Sequence, residues 1–150
     1  MEQSTDELAI TNLLRTVRTV AVVGLSDDVD KPSYEVAAFL QKHGYRIFPV
    51  NPRITKVLGV NSFPELTAIS EPVDVVDVFR RSDAVPLIVD QAIQIGARAV
   101  WMQKGIIHPE AAEKATRAGL QVVMDRCIME ELTKLIKEGV VTPPALAATS

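Results

Sequence analysis

Short apolar runs rich in β-branched residues alternate along the chain with stretches of helical period. Thr19-Val20-Ala21-Val22-Val23 is apolar almost throughout, as a strand buried on both faces should be. Ile47-Phe48-Pro49-Val50, the run Val73 to Phe79, Ala99-Val100-Trp101 and Gln121-Val122-Val123-Met124 read the same way. Between them lie amphipathic segments. Val36, Phe39, Leu40 and His43 share one helical face, and Gly44 suits the left-handed position that ends a helix. Val85, Ile88, Val89 and Ala92 form a second stripe, which ends at Gly96, with Asp83 as its expected N-cap. Pro109 marks the first turn of a third helix that stops at Gly119. Asp125 is the expected cap of a fourth, with Ile128, Leu132, Leu135 and Ile136 inward. An opening helix is expected over roughly Asp6 to Arg15, with Leu8, Leu13 and Leu14 as its apolar residues.

Strand and helix alternate about five times. Parallel strands need crossover connections, nearly always right-handed, so the pattern predicts an open, doubly wound α/β sheet of about five mostly parallel strands with helices on both faces. Residues 55–66 are less regular and suit a short edge strand with one helical turn. The expected organisation is an N-terminal helix over 1–16 packed on a Rossmann-like domain at 17–138. A tail at 139–150, with Pro143-Pro144 and several alanines, is expected to fray.

Composition narrows the classes. The 150 residues suit one domain, and 47% hydrophobic residues suffice for a sizeable core. A net charge of −3 does not suggest a nucleic-acid partner. No apolar run approaches the roughly 20 residues of a membrane helix, and the polar, acidic start is unlike a secretory signal. The single cysteine, Cys127, has no internal disulfide partner, so the expected compartment is the cytoplasm. A symmetric dimer is the commonest assembly, yet no surface in the sequence is singled out for one.

Ligands of such sheets bind beyond the carboxyl ends of the strands, where strand order reverses. The loop after the first strand runs from Gly24 to Ser33. Gly24 permits a tight turn and close approach of a ligand. Ser26 and Ser33 offer hydroxyls, Lys31 a positive charge, and the helix starting near Pro32 offers free N–H groups to an anion. The same loop also reads as an ordinary strand-to-helix connection with a capping serine, and no full G-x-G-x-x-G is present. The second strand ends in Val50-Asn51-Pro52-Arg53, without the acid that binds the ribose of NAD. Arg53 and Lys56 there suit a phosphorylated ribose instead, which fits NADP or coenzyme A equally. The third strand ends in Phe79-Arg80-Arg81, a ring and two guanidinium forks suited to a nucleotide.

Taken in order, these segments resemble a known family. Ala21-Val22-Val23-Gly24-Leu25-Ser26 followed by Lys31-Pro32-Ser33-Tyr34 is similar to the opening of the small CoA-binding proteins. Gly44 to Pro52, Val75 to Arg81, Trp101-Met102-Gln103 and Val123 to Cys127 resemble their later motifs. The resemblance runs from about Val17 to Leu132, and the family's fold is similar to the N-terminal domain of the succinyl-CoA synthetase alpha subunit. It implies that the first loop, with Gly24 and Leu25 among its cofactor-binding positions, holds the CoA phosphates through Ser26, Lys31 and Ser33. It implies Val50, Asn51, Pro52 and Arg53 at the adenosine end, Phe79, Arg80 and Arg81 in the adjoining groove, and Gln103 and Gly105 on its far side. Lys104 departs from the family, where an apolar residue is expected; pointing inward, it would add charge and alter ligand preference.

No residue pattern of the chain marks a catalytic centre or a metal site. His43 sits in the last turn of a helix and His108 before Pro109, both ordinary structural places. Cys127 follows Arg126 near a helix start, two features that favour a thiolate, although single cysteines are usually packing residues. Asp77, inside an apolar strand, is expected to tie down a neighbouring loop. The leading expectation is a CoA-binding (or acyl-CoA-binding) module that is not itself a catalyst, such as a sensor or a component of acyl-CoA metabolism. The alternatives are an NADP-binding oxidoreductase-like protein, for which 150 residues leave no substrate domain, and a redox protein exchanging Cys127 with the CoA thiol.

Overall fold

The structure is a computed structural model that describes residues 2–149. Five parallel strands form one sheet: β1 (Thr19–Val23), β2 (Arg46–Val50), β5 (Val75–Val78), β6 (Ala99–Met102) and β7 (Gln121–Val123), in the order β2-β1-β5-β6-β7. A separate antiparallel hairpin, β3 (Lys56–Val57) with β4 (Val60–Asn61), occupies the irregular stretch after β2. The helices are α1 (Glu2–Thr16), α2 (Pro32–Lys42), α3 (Val85–Gln94), α4 (Pro109–Arg117), α5 (Ile128–Lys137) and α6 (Pro144–Thr149). No helix among the described residues is long and apolar enough to cross a membrane.

The near-continuous apolarity of the strands has the expected cause: both faces of the sheet are covered. Val20, Val22, Val75 and Trp101 face one layer, where they pack with Leu14 of α1, Val36 and Leu40 of α2 and Ile128 and Leu132 of α5. Ala21, Val76, Val78 and Val100 face the other layer, with Ile88 and Val89 of α3 and Ala111 and Ala115 of α4. The chain leaves β1 for β2 on one side and later adds β5, β6 and β7 on the other, so order reverses between β1 and β5.

Several local expectations are corrected. α1 begins at Glu2, earlier than expected, and along it Leu8 faces solvent while Ile10, Leu13 and Leu14 are buried. Asp83 does not cap α3; it lies in a 3-10 turn, Ser82–Ala84, that runs into the helix, with Pro86 in the first helical turn. Asp125 does not cap α5 either. It adopts φ 62°, and its carboxylate accepts a hydrogen bond from the Gly105 N–H at 2.7 Å, so Cys127 occupies the capping position. Over the stretch expected to fray, α6 forms and the Ala145 N–H donates to the His43 carbonyl at 2.9 Å.

Asp77 is the largest surprise. It lies between Val22 and Trp101 in the register of the sheet, fully buried, and neither carboxylate oxygen has a hydrogen-bond partner. The loop-tying role falls to Asp74, whose carboxylate accepts from the Arg18 and Thr19 N–H groups at 2.7 and 3.1 Å and pairs with Arg98. Burial raises the Asp77 pKa well above the ordinary carboxylate value, which favours the neutral acid. The unfolded chain releases that proton above about pH 4, whereas the fold retains it. Stability therefore falls as pH rises from there toward the folded pKa, by up to about 1.4 kcal/mol per pH unit. Asp77→Asn cannot ionise, so in urea unfolding at successive pH values above about 4 the variant should gain on the wild type as pH rises. Parallel stability profiles would show that the carboxyl is ionised in the fold.

Candidate functional site

The reversal between β1 and β5 opens a crevice at the carboxyl edge of the sheet. Its floor is set by a close backbone approach. Gly24, one residue beyond β1, has φ 87°, and a Cβ placed on it would lie 2.5 Å from the Phe79 carbonyl oxygen and 2.8 Å from Arg80 Cδ. The Gly24 N–H donates to the Val50 carbonyl and the Phe79 N–H to the Val23 carbonyl, so the loops after β1, β2 and β5 are laced together at this glycine.

The loop after β1 is largely satisfied from within. Ser33 is buried, and its hydroxyl oxygen accepts from the Ser26 N–H at 3.0 Å; the Ser26 hydroxyl oxygen accepts from the Asp28 N–H at 3.0 Å. Each hydroxyl keeps its proton for a further acceptor. Leu25 is buried, and its carbonyl accepts from the Asn51 side-chain amide, whose own carbonyl accepts from the Arg53 N–H. Asn51 thus braces two loops. α2 starts at Pro32 with Lys31 at the capping position and no side-chain cap, leaving the helix N-terminus open toward the edge.

On the α2 and α5 side of the crevice lies a groove of about 620 Å³, walled by Phe79, Arg80 and Arg81 after β5, Gln103, Lys104 and Ile106 after β6, and the first turns of α2 and α5. Gln103 is buried and its side-chain carbonyl accepts from the Ile128 N–H at 3.2 Å, which fixes the start of α5. Lys104 does line the groove, and its ammonium donates to Glu130 at 2.7 Å. The hydrogen bond and charge of Glu130 raise the Lys104 pKa. Cys127 is buried at the groove wall, beside α5. Arg126 turns away and pairs with Glu7 and Glu131, so its charge is spent on anchoring α1. A second cavity, about 180 Å³, lies beyond Arg80, between Val50 and Pro52 on one side and Leu87 and Ile88 on the other.

Of the residues expected at the site, Phe79, Arg80, Arg81 and Gln103 meet in the groove, and Val50, Pro52 and Arg80 meet in the smaller cavity. Gly24, Leu25, Ser26, Lys31, Asn51 and Arg53 lie in the connecting loops, Ser33 in the first turn of α2, and Gly105 is held by Asp125. Glu35, Val36, Ile106, Met129 and Glu130 also line the groove, and sequence reasoning missed them. Except for Ile106, they belong to the first two turns of helices that open on the sheet edge, a position legible once the strand ends were located. Neither histidine is near the groove walls. His43 lies against Phe39, and Nδ1 of His108 accepts from the Ala111 N–H as the cap of α4.

A doubly wound sheet with a glycine-floored crevice at its switch point and a cation-bearing groove beside it defines a nucleotide-binding module. Residues 18–133 match the model of the CoA binding domain, and the chain belongs to that family. It is 38% identical over 126 residues to the uncharacterized protein YneT of Bacillus subtilis, covering 84% of this chain and 93% of that one. It is 31% identical over 91 residues to ADP-forming acetate-CoA ligase II of Archaeoglobus fulgidus, covering 59% of this chain but only 14% of the ligase. Among solved structures, a hypothetical protein from Pyrococcus horikoshii superposes with a TM-score of 0.84 at 35% identity, covering 87% of this chain and 92% of that one.

The close approach at Gly24 gives a direct test. Gly24→Ala combines an unfavourable positive φ with a clash against backbone, and should cost about 2–4 kcal/mol. Urea unfolding measures the loss; a change below ~1 kcal/mol would mean that the two loops can separate without consequence.

Proposed function

We propose that the carboxyl edge binds coenzyme A with its phosphates over the loops after β1, β2 and β5 and its pantetheine arm along the groove toward β6 and β7. The observation that carries this reading is the uneven pairing of charges along the edge. Lys31, Arg53, Lys56, Arg80 and Arg81, on the β1, β2 and β5 side, have no carboxylate partner among the described residues. Lys104 and Arg126, on the β6 and β7 side, are both paired with glutamates. Unpaired cations gathered at one end favour a polyanion there, and the paired end favours an uncharged arm. Arg80 touches both cavities and so stands between the nucleotide and the arm.

In this reading Ser26 and Ser33 donate to phosphate, Arg53 faces the ribose phosphate, and Phe79 lies against the arm. The module is not itself a catalyst. It holds CoA or an acyl-CoA, as a sensor or as one component of acyl-CoA metabolism. Its likeness to a small share of a ligase that acts on acetate and CoA supports a component role.

Calorimetric titration with CoA, dephospho-CoA, NAD and NADP tests the assignment. CoA should bind about tenfold more tightly than dephospho-CoA, the worth of a charge-assisted contact, and Arg53→Ala should abolish that difference. Arg80→Ala should weaken both ligands together. Binding of NADP without binding of CoA would overturn the reading in favour of an NADP-binding protein.

A further inference from the structure

On the β6 and α5 side of the groove one ammonium is held by one carboxylate. Glu35 stands on the α2 wall, and Glu130 in the first turn of α5 is in contact with Lys104 from the loop after β6. Ile106 and Met129 are apolar, and the Gln103 side-chain carbonyl is an acceptor already used by the Ile128 N–H. The Asp125 carboxylate adds further negative potential around the ammonium. We propose that Glu130, by holding Lys104, sets this end of the groove to take an uncharged thiol or acyl end and to reject an acyl group that ends in a carboxylate. The proposal rests on the orientation of CoA given above and adds a specificity-determining residue to it.

The physical argument is one of competition. A carboxylate arriving at the end of the arm reaches Lys104 only by displacing Glu130 or by lying beside it. Displacement exchanges one carboxylate for another with no net gain, and lying beside it places like charges together at short range. Both side chains of the pair are more than half exposed, at 63% and 55%. The selectivity is therefore modest, as for other exposed pairs, and either side chain can be replaced without disturbing the core. Removing the Glu130 charge while retaining a hydrogen-bond acceptor would leave Lys104 free to meet a ligand carboxylate. Removing Lys104 would leave Glu130 unopposed.

The test compares butyryl-CoA with succinyl-CoA, two four-carbon thioesters that differ in a terminal methyl against a terminal carboxylate. Dissociation constants are measured for the wild type, Glu130→Gln and Lys104→Met, with CoA itself as reference. The wild type should prefer butyryl-CoA by about three- to fivefold, Glu130→Gln should erase or invert that preference, and Lys104→Met should widen it. Each preference is read as a ratio to the same protein's affinity for CoA. Succinyl-CoA bound as tightly as butyryl-CoA by the wild type, or a preference unchanged in Glu130→Gln, overturns the proposal while leaving the CoA reading intact. Failure of the wild type to bind CoA at all overturns that reading and the proposal with it.

Discussion

Everything at the carboxyl edge depends on how closely two loops approach where strand order reverses. The chain leaves β1 in one direction and β5 in the other, which opens a crevice that only backbone can floor. Gly24 supplies that floor, because a side chain at this position would enter the Phe79 carbonyl and the Arg80 stem. Its positive φ turns the chain away from the sheet, and its N–H ties the turn to the end of β2. Phe79 and Arg80 are thereby held at a fixed place beside the crevice, and the groove and the smaller cavity form on either side of Arg80.

The polar groups of this edge divide between bracing and recognition. Asn51, Asp125 and Gln103 spend their side chains on neighbouring backbone N–H or carbonyl groups, joining loops that belong to different strands. Such bonds are individually modest, but they fix the positions of the charged side chains that remain unpaired. Pairing also differs along the edge. α1 and α5 supply glutamates that pair with Arg126 and Lys104, whereas Lys31, Arg53, Arg80 and Arg81 have no carboxylate partner among the described residues.

Asp77 stands outside this division. Its neighbours in register are Val22 and Trp101, and the Trp101 ring N–H is already donated to the Arg126 carbonyl. A carboxyl in such surroundings is tolerated as the neutral acid, at a cost in desolvation that the packing on both sides of the sheet must offset. It lies one layer beneath Phe79 and Gln103, directly under the groove wall, since side chains two residues apart along a strand share a face.

The sequence by itself determined the sheet, the positions of its strands, the helices between them and, through the motifs at the strand ends, the family. Those follow from short-range rules: apolar runs for strands buried on both faces, a period of 3.6 for helices, glycine and proline at their ends, and the motifs at the strand ends. The inward stripe of α3, the start of α4 at Pro109 and the end of α2 before Gly44 were all legible in this way. Only the tertiary structure decided which polar side chain meets which. Asp74 and not Asp77 ties the loop, Asp125 holds Gly105 rather than capping α5, and Glu130 reaches Lys104. Each of these pairings joins residues 20 or more positions apart. No periodicity carries that information, because it is set by how the strands are ordered in the sheet and how far each loop extends beyond its edge.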